Sequence, residues 1–493
     1  MLRADLLQHL YQKDIAFQCA NEEASSSLLD NITLDSRSVG PQSLFIALQG
    51  THTNGEDFIP EAAQKGVRFI LTSLSALHFY APKFPEVFFI GTDNVRALTS
   101  IVSKIFYPEQ PETVVAVTGT NGKTSTVDFT RHLWECMGMS SASLGTLGVR
   151  SVIKTVEKHL TTPEAPYLHK LLQDLAHHHI THVAMEASSH GIDQYRLENV
   201  SFKAAAFTNL SPEHLDYHHT LENYLETKAQ LFKRILPASG VCVLNADIPE
   251  FEILKKACGS RKILSFGYKG EDIRILKVFS HAHDQEVFLS INGEPLEITF
   301  PLIGSFQLSN ALCALGLVMA CHPLNLSKAI KGLETVQPVP GRLEYIASTP
   351  HGAAIYIDYA HTPDGIKSLL SSLRPHTKNH LHIVFGGGGN RDPSTRRPRG
   401  VLAHQLADFV YICDDNPRFE DPLSIRSQIL AGCPKAKEIP DRAAAIRYAI
   451  QSLEPGDILV VAGKGREEGQ SIEGEVFPFD DAATILKSIG ELS

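Results

Sequence analysis

Short runs of β-branched and aromatic residues alternate with stretches of helical length along the whole chain, and this alternation limits the fold more than any other feature. The runs read SLFIAL, VRFILTS, EVFFIGT, TVVAVTG, THVAMEAS, KAAAFTNL and GVCVLNA, then AAIYIDYA, HLHIVFGGG, DFVYICDD and DILVVAGKG. They are mostly apolar and several carry Gly, Asn or Asp at or near their carboxyl ends, as strands do when helices cover both faces of a parallel, doubly wound sheet. The class is α/β. At 493 residues the chain exceeds one ordinary core, so two to four domains of about 100–200 residues are expected. Boundaries read near 97, before the helical ALTSIVSKIFY, and near 343, after VQPVPGRLE, where prolines and a glycine interrupt a helical pattern. The units are then 1–96, 97–342 and 343–493. Within 271–303, DIRILKVF, QEVFLSIN and PLEITFPLIG with an ING turn predict a small antiparallel insertion.

Composition narrows the function classes. Hydrophobic residues at 43% and charged residues at 20% suit a packed globular chain and not a disordered or fibrous one. A net charge of −10 offers no overall basic field, so neither nucleic acid nor an anionic membrane is the expected partner. The start, MLRADLLQHLYQKD, lacks the order of a secretory signal, and no uninterrupted apolar run reaches the about 18 residues of a membrane span. A cytoplasmic protein is expected. Cys19, Cys136, Cys242, Cys258, Cys313, Cys321, Cys413 and Cys433 include no C-x-x-C pair and read as reduced and mostly buried.

The sharpest local signal is TVVAVTGTNGKTSTVDFTRHLW. An apolar strand leads into Gly119, Thr120, Asn121, Gly122, Lys123, Thr124 and Ser125, and an amphipathic helix follows. Glycines let backbone N–H groups approach phosphate oxygens, the helix offers its positive end, Lys123 supplies a point charge, and the Thr124 hydroxyl suits Mg²⁺. The pattern is a nucleoside triphosphate cradle, although the generic P-loop would place Gly where this chain has Val117. The run Gly386 to Gly389 also follows a strand but lacks the Lys-Thr, and reads as loop geometry. Beyond the cradle, Glu186, Asn209 and Asn245 stand at strand ends, where ligands of open α/β sheets gather, and are expected to converge on the phosphates. Glu186 and His214 are the candidate Mg²⁺ ligands, a carboxylate and an imidazole. From the residues alone His214 remains open between ligand and structural histidine, His177 to His179 read as a solvated helix face, and Lys228 reads as a surface charge.

Taken together, GTNGKTS, LTTPEAP, MEASSHGIDQYR, FTNLSPEHLDYHH, YLETKAQLF, LIGSFQLSNALCALG, VPGRLE, IDYAHTPDG, DDNPRFEDP and AGKGREE closely resemble the Mur ligases, from Asp35-Ser36-Arg37 to Phe479-Asp480-Asp481. The resemblance implies three α/β domains: an N-terminal uridine-binding one, a central P-loop-type parallel sheet, and a C-terminal Rossmann-like acceptor domain. It implies an ATP- and Mg²⁺-dependent ligase that activates a D-glutamyl carboxylate as an acyl phosphate and joins it to an amine. Lys123, Lys228 and His214 would be catalytic, and Asn310 and Arg342 would join the loop in binding ATP. Lys228 matches a lysine carried N-carboxylated, and as a carbamate it would hold metal together with Thr124, Glu186 and His214. Glu213-His214 stands where the family usually has Asp-His. Among positions matching contacts to UDP-N-acetylmuramoyl-L-alanyl-D-glutamate, Ser36 would serve the uracil end, Thr161 and Thr162 the middle, and Ser188, Gln194 and Arg196 the far end, with His52 also serving the uridine region. Asp358 and His361 match positions near the adenine and ribose or at the domain junction.

The acceptor is implied by Asp415-Asn416-Pro417-Arg418, which matches the signature of the meso-diaminopimelate-adding members. Lysine lacks the distal carboxylate that a guanidinium grips with two parallel hydrogen bonds. Arg391, Gly463 and Glu467 match the other acceptor contacts. Arg466 replaces a common His, and one extra residue follows Arg391. A lysine-adding or folylpolyglutamate-type ligase and a nucleotide-driven switch are the competing readings. Arg418 and the Asp35-Ser36-Arg37 segment weigh against the first, and the second would turn over nucleotide without an amine acceptor. The expected protein is a monomer.

Overall fold

A computed structural model of the chain describes residues 3–12, 15–22, 28–50, 53–151, 160–281, 283–324 and 326–491. His52 lies outside the described residues. The expected α/β class is what forms, as three separate sheets and one hairpin.

The N-terminal sheet has the order Gln18–Ala20, Phe88–Thr92, Phe69–Ser73, Ser43–Ile46, Asn31–Thr33 and is parallel except at the Gln18–Ala20 edge. Helix Val95–Phe106 covers one face, with Leu98 and Val102 packed among Leu44, Phe69 and Phe88. A boundary near 97 passes through this helix, because the apolar stripe that looked like a lead-in to the next strand is part of the N-terminal core.

Ten strands make the central sheet, in the order Glu294–Phe300, Gln285–Ile291, Ile273–Ser280, Ile263–Gly267, Val241–Asn245, Ala204–Phe207, Thr113–Thr118, His182–Glu186, Ser141–Gly145, Gly148–Ser151. Thr113–Thr118 is buried along its whole length and pairs in parallel with Ala204–Phe207 and His182–Glu186, so the three carboxyl ends open on one edge. The three antiparallel strands expected in 271–303 form, turning at Asn292 (φ 51°) and Gly293 (φ 89°), but they prolong this sheet and are not a separate insertion. Helix Lys123–Cys136 buries Val127, Phe129, Leu133 and Trp134 against Leu308, Leu312 and Leu315 of helix Ser305–Cys321. The latter helix is apolar on nearly every side because it lies between that helix and the sheet.

The C-terminal sheet runs Glu344–Ser348, Ala354–Asp358, Ile458–Ala462, Leu381–Phe385, Phe409–Ile412, Lys437–Glu438, parallel apart from its first strand. A hairpin, Gly469–Ile472 with Glu475–Pro478, stands beside it. The entry into this unit is fixed by Asp358, whose buried carboxylate accepts from Leu343 N at 2.6 Å and Ala360 N at 2.7 Å. Among the described residues no helix is long and apolar enough to cross a membrane. All eight cysteines are free thiols, and Cys242, Cys258, Cys313, Cys413 and Cys433 are buried. Of the histidine run only His177 is helical: His178 caps the helix and His179 turns at φ 59°.

Candidate active site

The phosphate loop is held open from below. Gly122 has φ 84°, and a Cβ there would lie 2.2 Å from Asn310 Oδ1, so only glycine fits above that buried amide. Thr120 N donates to Asn209 O at 2.9 Å and Asn121 N to Asn209 Oδ1 at 2.9 Å, which fixes the crest of the loop on the neighbouring strand end. Lys123 Nζ folds back onto Gly119 O (3.0 Å) and Thr120 O (2.7 Å), and Ser125 is buried in the first helical turn. Val117 stays within the strand, so the turn starts later than in the generic loop. Asn245 differs from expectation. It lies one strand further out, donates to Thr208 O at 2.9 Å and accepts from Asp247 N, bracing the strand end that supports the loop and not facing the phosphates.

Glu186 is buried at the end of its strand with uncharged donors around it: Thr124 Oγ1 at 2.9 Å, Thr146 N at 2.8 Å and Thr146 Oγ1 at 3.3 Å. Arg342 reaches toward the same Thr124 hydroxyl, 3.5 Å away, while its guanidinium stacks 4.3 Å from the Tyr359 ring. On the other side of the loop, Lys228 is wholly buried, donates 2.7 Å to Gly119 O and sits 4.3 Å from the Tyr224 ring. Burial, reinforced by the Lys123 charge, pushes its amine well below the ordinary lysine range. His214 adopts φ 55° at the start of a short helix, its ring edge-on to His190 at 4.9 Å, and burial lowers its basicity. Glu213 lies between His214 (3.9 Å) and His361 (3.8 Å). Burial acts to raise its carboxyl, but Lys123, His214, His361 and Lys228 outweigh that and hold it below the usual range. No three His, Cys, Asp or Glu side chains among the described residues are grouped so as to hold a metal ion.

A second cluster surrounds the Thr162 hydroxyl, which donates to Glu186 O at 2.9 Å and accepts from Ser188 N. Ser188 caps the helix Ser189–Asp193 through Gly191 N. Arg196 donates to Thr162 O (2.8 Å) and Gln194 Oε1 (2.6 Å) and pairs with Glu164 at 2.8 Å. Thr161 Oγ1 bonds the Thr146 hydroxyl at 3.2 Å. Ser36 is buried at the start of a short 3-10 helix, Ser36–Ser38, in the N-terminal unit, 3.4 Å from Glu61.

The third cluster is built by the C-terminal sheet. Asn416 donates to Glu467 Oε2 (3.0 Å) and accepts from Lys464 Nζ and Ser471 N. Arg418 takes φ 54°, held by Arg418 N to Ser471 O and Glu473 N to Arg418 O, and its Nη1 donates 2.7 Å to Gly389 O. A Cβ on Gly389 would fall 1.9 Å from Pro417 O, so the glycine run is what lets this segment lie against the loop that carries Arg391. Asp415 is buried, 3.6 Å from Lys464 and under Gly463. Tyr359, half-buried, lies between the phosphate loop and this cluster: it stacks on Arg342, and the charges of Glu467, Arg391 and Asp415 act on its phenol. Arg466 pairs with Glu344 at 2.6 Å, closing the turn onto the linker. Sequence reasoning missed Tyr359, Glu164 and Lys464, although each lies inside a motif it quoted. Their roles depend on neighbours distant in the chain.

A parallel sheet whose glycine-rich loop carries the half-buried Lys123 beside the buried Lys228, joined to a second α/β sheet presenting arginines, defines a nucleotide-dependent enzyme. The Mur ligase middle domain matches residues 117–318, the Mur ligase glutamate ligase domain 341–465, and the Mur ligase family catalytic domain 29–117. The UDP-N-acetylmuramoyl-L-alanyl-D-glutamate–2,6-diaminopimelate ligase of Bradyrhizobium diazoefficiens is 42% identical over 483 residues, 96% of this chain and 98% of that protein. Its counterpart from Rhizobium meliloti is 42% identical over 474 residues, 95% and 96% of the two chains. A solved structure of a ligase of the same description superposes with a TM-score of 0.67 at 30% identity, covering 94% of this chain and 95% of the other. The chain belongs to the Mur ligase family.

Proposed function

We propose that this ATP-dependent ligase adds meso-2,6-diaminopimelate to UDP-N-acetylmuramoyl-L-alanyl-D-glutamate in peptidoglycan precursor synthesis, in the cytoplasm and as a monomer. The ligation and its acceptor are those in the names of relatives 40–42% identical over nearly the full chain. The observation that carries the choice of acceptor is the Arg418 guanidinium on the Gly389 carbonyl beside Arg391, two residues along from Asn416, which is bonded to Glu467. Arginine there suits a carboxylate and Glu467 an ammonium, the two ends of a diamino diacid.

A carboxylate is a poor acylating agent because its leaving group would be oxide. The D-glutamyl carboxylate therefore attacks the γ-phosphorus of ATP, releasing ADP and forming an acyl phosphate. The acceptor amine then adds to the carbonyl carbon, loses its proton, and phosphate leaves. Both steps gather negative charge. Lys123 at the loop and Arg342 beside Thr124 are placed to offset it, and Asn310 shapes the loop from beneath. Ser36, Thr161, Thr162, Ser188, Gln194 and Arg196 would orient the UDP-sugar peptide between the N-terminal and central sheets. Magnesium fits the donor set on one side, where the buried Glu186 carboxylate meets only uncharged donors. Thr124, Glu186 and His214 are the residues that would hold magnesium, and a carboxylated Lys228, on the other side of the loop, would help to hold a second ion; the contribution of magnesium when bound is neutralisation of phosphate charge. Lys228 itself suits carboxylation: its neutral amine attacks CO₂, the N–C bond forms and one proton leaves to solvent.

Acceptor choice is tested by Arg418→Ala, with meso-diaminopimelate and L-lysine as competing acceptors. A site that leaves its guanidinium unpaired discriminates by about 10⁴-fold on the scale of missing polar partners. The variant is expected to lose most of that margin while product still forms at high acceptor concentration. A variant that keeps the wild-type margin contradicts the assignment.

A further inference from the structure

Beside the two acceptor arginines stands an ion pair to which the reading above gives no role. Arg391 and Arg418 pass the same glycine: a Cβ on Gly388 would lie 3.1 Å from Arg418 Nη1 and 3.6 Å from Arg391 Cγ. Among the described residues neither of them forms an ion pair, whereas Arg396, at the start of helix Arg396–Leu406 and 1% exposed, is paired through both terminal nitrogens. Its Nη1 donates to Glu420 Oε1 at 2.5 Å and its Nη2 to Glu420 Oε2 at 2.7 Å. The same guanidinium donates to Gly388 O and to Gln428 Oε1, both at 3.1 Å.

Glu420 carries the connection onward. Its Oε2 accepts from Asn390 N at 3.1 Å, and its own N donates to Pro417 O at 3.0 Å. Asn390, at φ 52°, in turn accepts on Oδ1 from Phe419 N at 3.1 Å. Asn390 directly precedes Arg391, and Pro417 and Phe419 flank Arg418, so these bonds tie together the two backbones from which the acceptor guanidiniums start. A forked arginine–carboxylate pair fixes direction as well as distance. With its carboxylate occupied by Arg396, Glu420 also leaves Arg391 and Arg418 free for a carboxylate of the ligand. We propose that the Arg396–Glu420 pair is a clip that positions Arg391 and Arg418 at the spacing that grips the distal carboxylate of the acceptor. The inference rests on the reading that Arg418 takes that carboxylate.

Steady-state kinetics of the full chain test this, with KM measured separately for meso-diaminopimelate, ATP and UDP-N-acetylmuramoyl-L-alanyl-D-glutamate. Glu420→Gln is expected to raise the diaminopimelate KM by about tenfold or more, the scale of one misaligned hydrogen bond to a charged group, and to leave the other two unchanged. Asn390→Gly, which keeps the left-handed backbone at an exposed position and is the variant to use if the first fails to fold, should raise it by about threefold. A pair that serves only the fold would move all three KM values together or none of them. The folded variant showing the wild-type diaminopimelate KM, or all three raised alike, would therefore overturn the clip. Arg418→Ala, measured alongside, separates the clip from the reading beneath it. A raised diaminopimelate KM in Arg418→Ala alone overturns only the clip, whereas an unchanged one there overturns the acceptor reading and the clip with it.

Discussion

Lys228 shows how far a residue's chemistry depends on what folds around it. In YLETKAQLF it has the look of a charge on a helix surface, yet it is 1% exposed and hydrogen-bonded to the Gly119 carbonyl. Burial and Lys123 both disfavour its charged form and so favour the uncharged, nucleophilic amine. Equilibration of the enzyme with ¹³C-bicarbonate is expected to give a carbamate resonance that disappears in Lys228→Ala. The variant's kcat should fall by about 10²-fold or more, the scale of losing one preorganised electrostatic group. Full activity with no carbamate signal would exclude the modification. Lys123 and Thr124 stand out in the sequence by type and by their place between a strand and a helix, whereas Arg418 is singled out only by the resemblance. Asn245 could not be read directly, because its strand-end position is shared by residues that face the ligand and residues that brace a neighbouring strand.

Helix Ala165–His177 carries a stability switch for the junction with the N-terminal unit. His169 is buried on it, 3.1 Å from Glu198 O, the carbonyl that also accepts from Ser100 on helix Val95–Phe106. Burial lowers its pKa from 6.5 to about 4. The unfolded chain therefore binds a proton between those pH values that the folded chain does not, so stability is complete above pH 6.5 and is lost as pH falls toward 4. The loss approaches about 3 kcal/mol. Urea unfolding at pH 7 and pH 4.5 should show a smaller midpoint difference for His169→Gln than for wild type; equal differences would contradict the assignment. At this scale the buried strands and the phosphate loop were plain from the run pattern, because parallel strands buried on both faces need continuous apolar residues. The Gly469–Pro478 hairpin was not, since its residues are half-buried or exposed and its partner is the distant Arg418 backbone.

On the proposed assignment, activation and acceptor capture fall on different sheets joined through few residues. Arg342 touches the Thr124 hydroxyl and stacks on Tyr359, and Tyr359 feels the charges of the acceptor cluster. Asp358 and the Arg466–Glu344 pair fix the linker on the acceptor side. Such couplings join motifs far apart in the chain, which is why quoting the motifs did not show the connection. The account holds that one catalytic centre uses all three substrates, so phosphate release should depend on the acceptor. Steady-state phosphate release by the purified chain with ATP and UDP-N-acetylmuramoyl-L-alanyl-D-glutamate measures this directly. Turnover is predicted to be slow with no acceptor or with L-lysine and fast with meso-diaminopimelate, whereas equal rates in all three would contradict it.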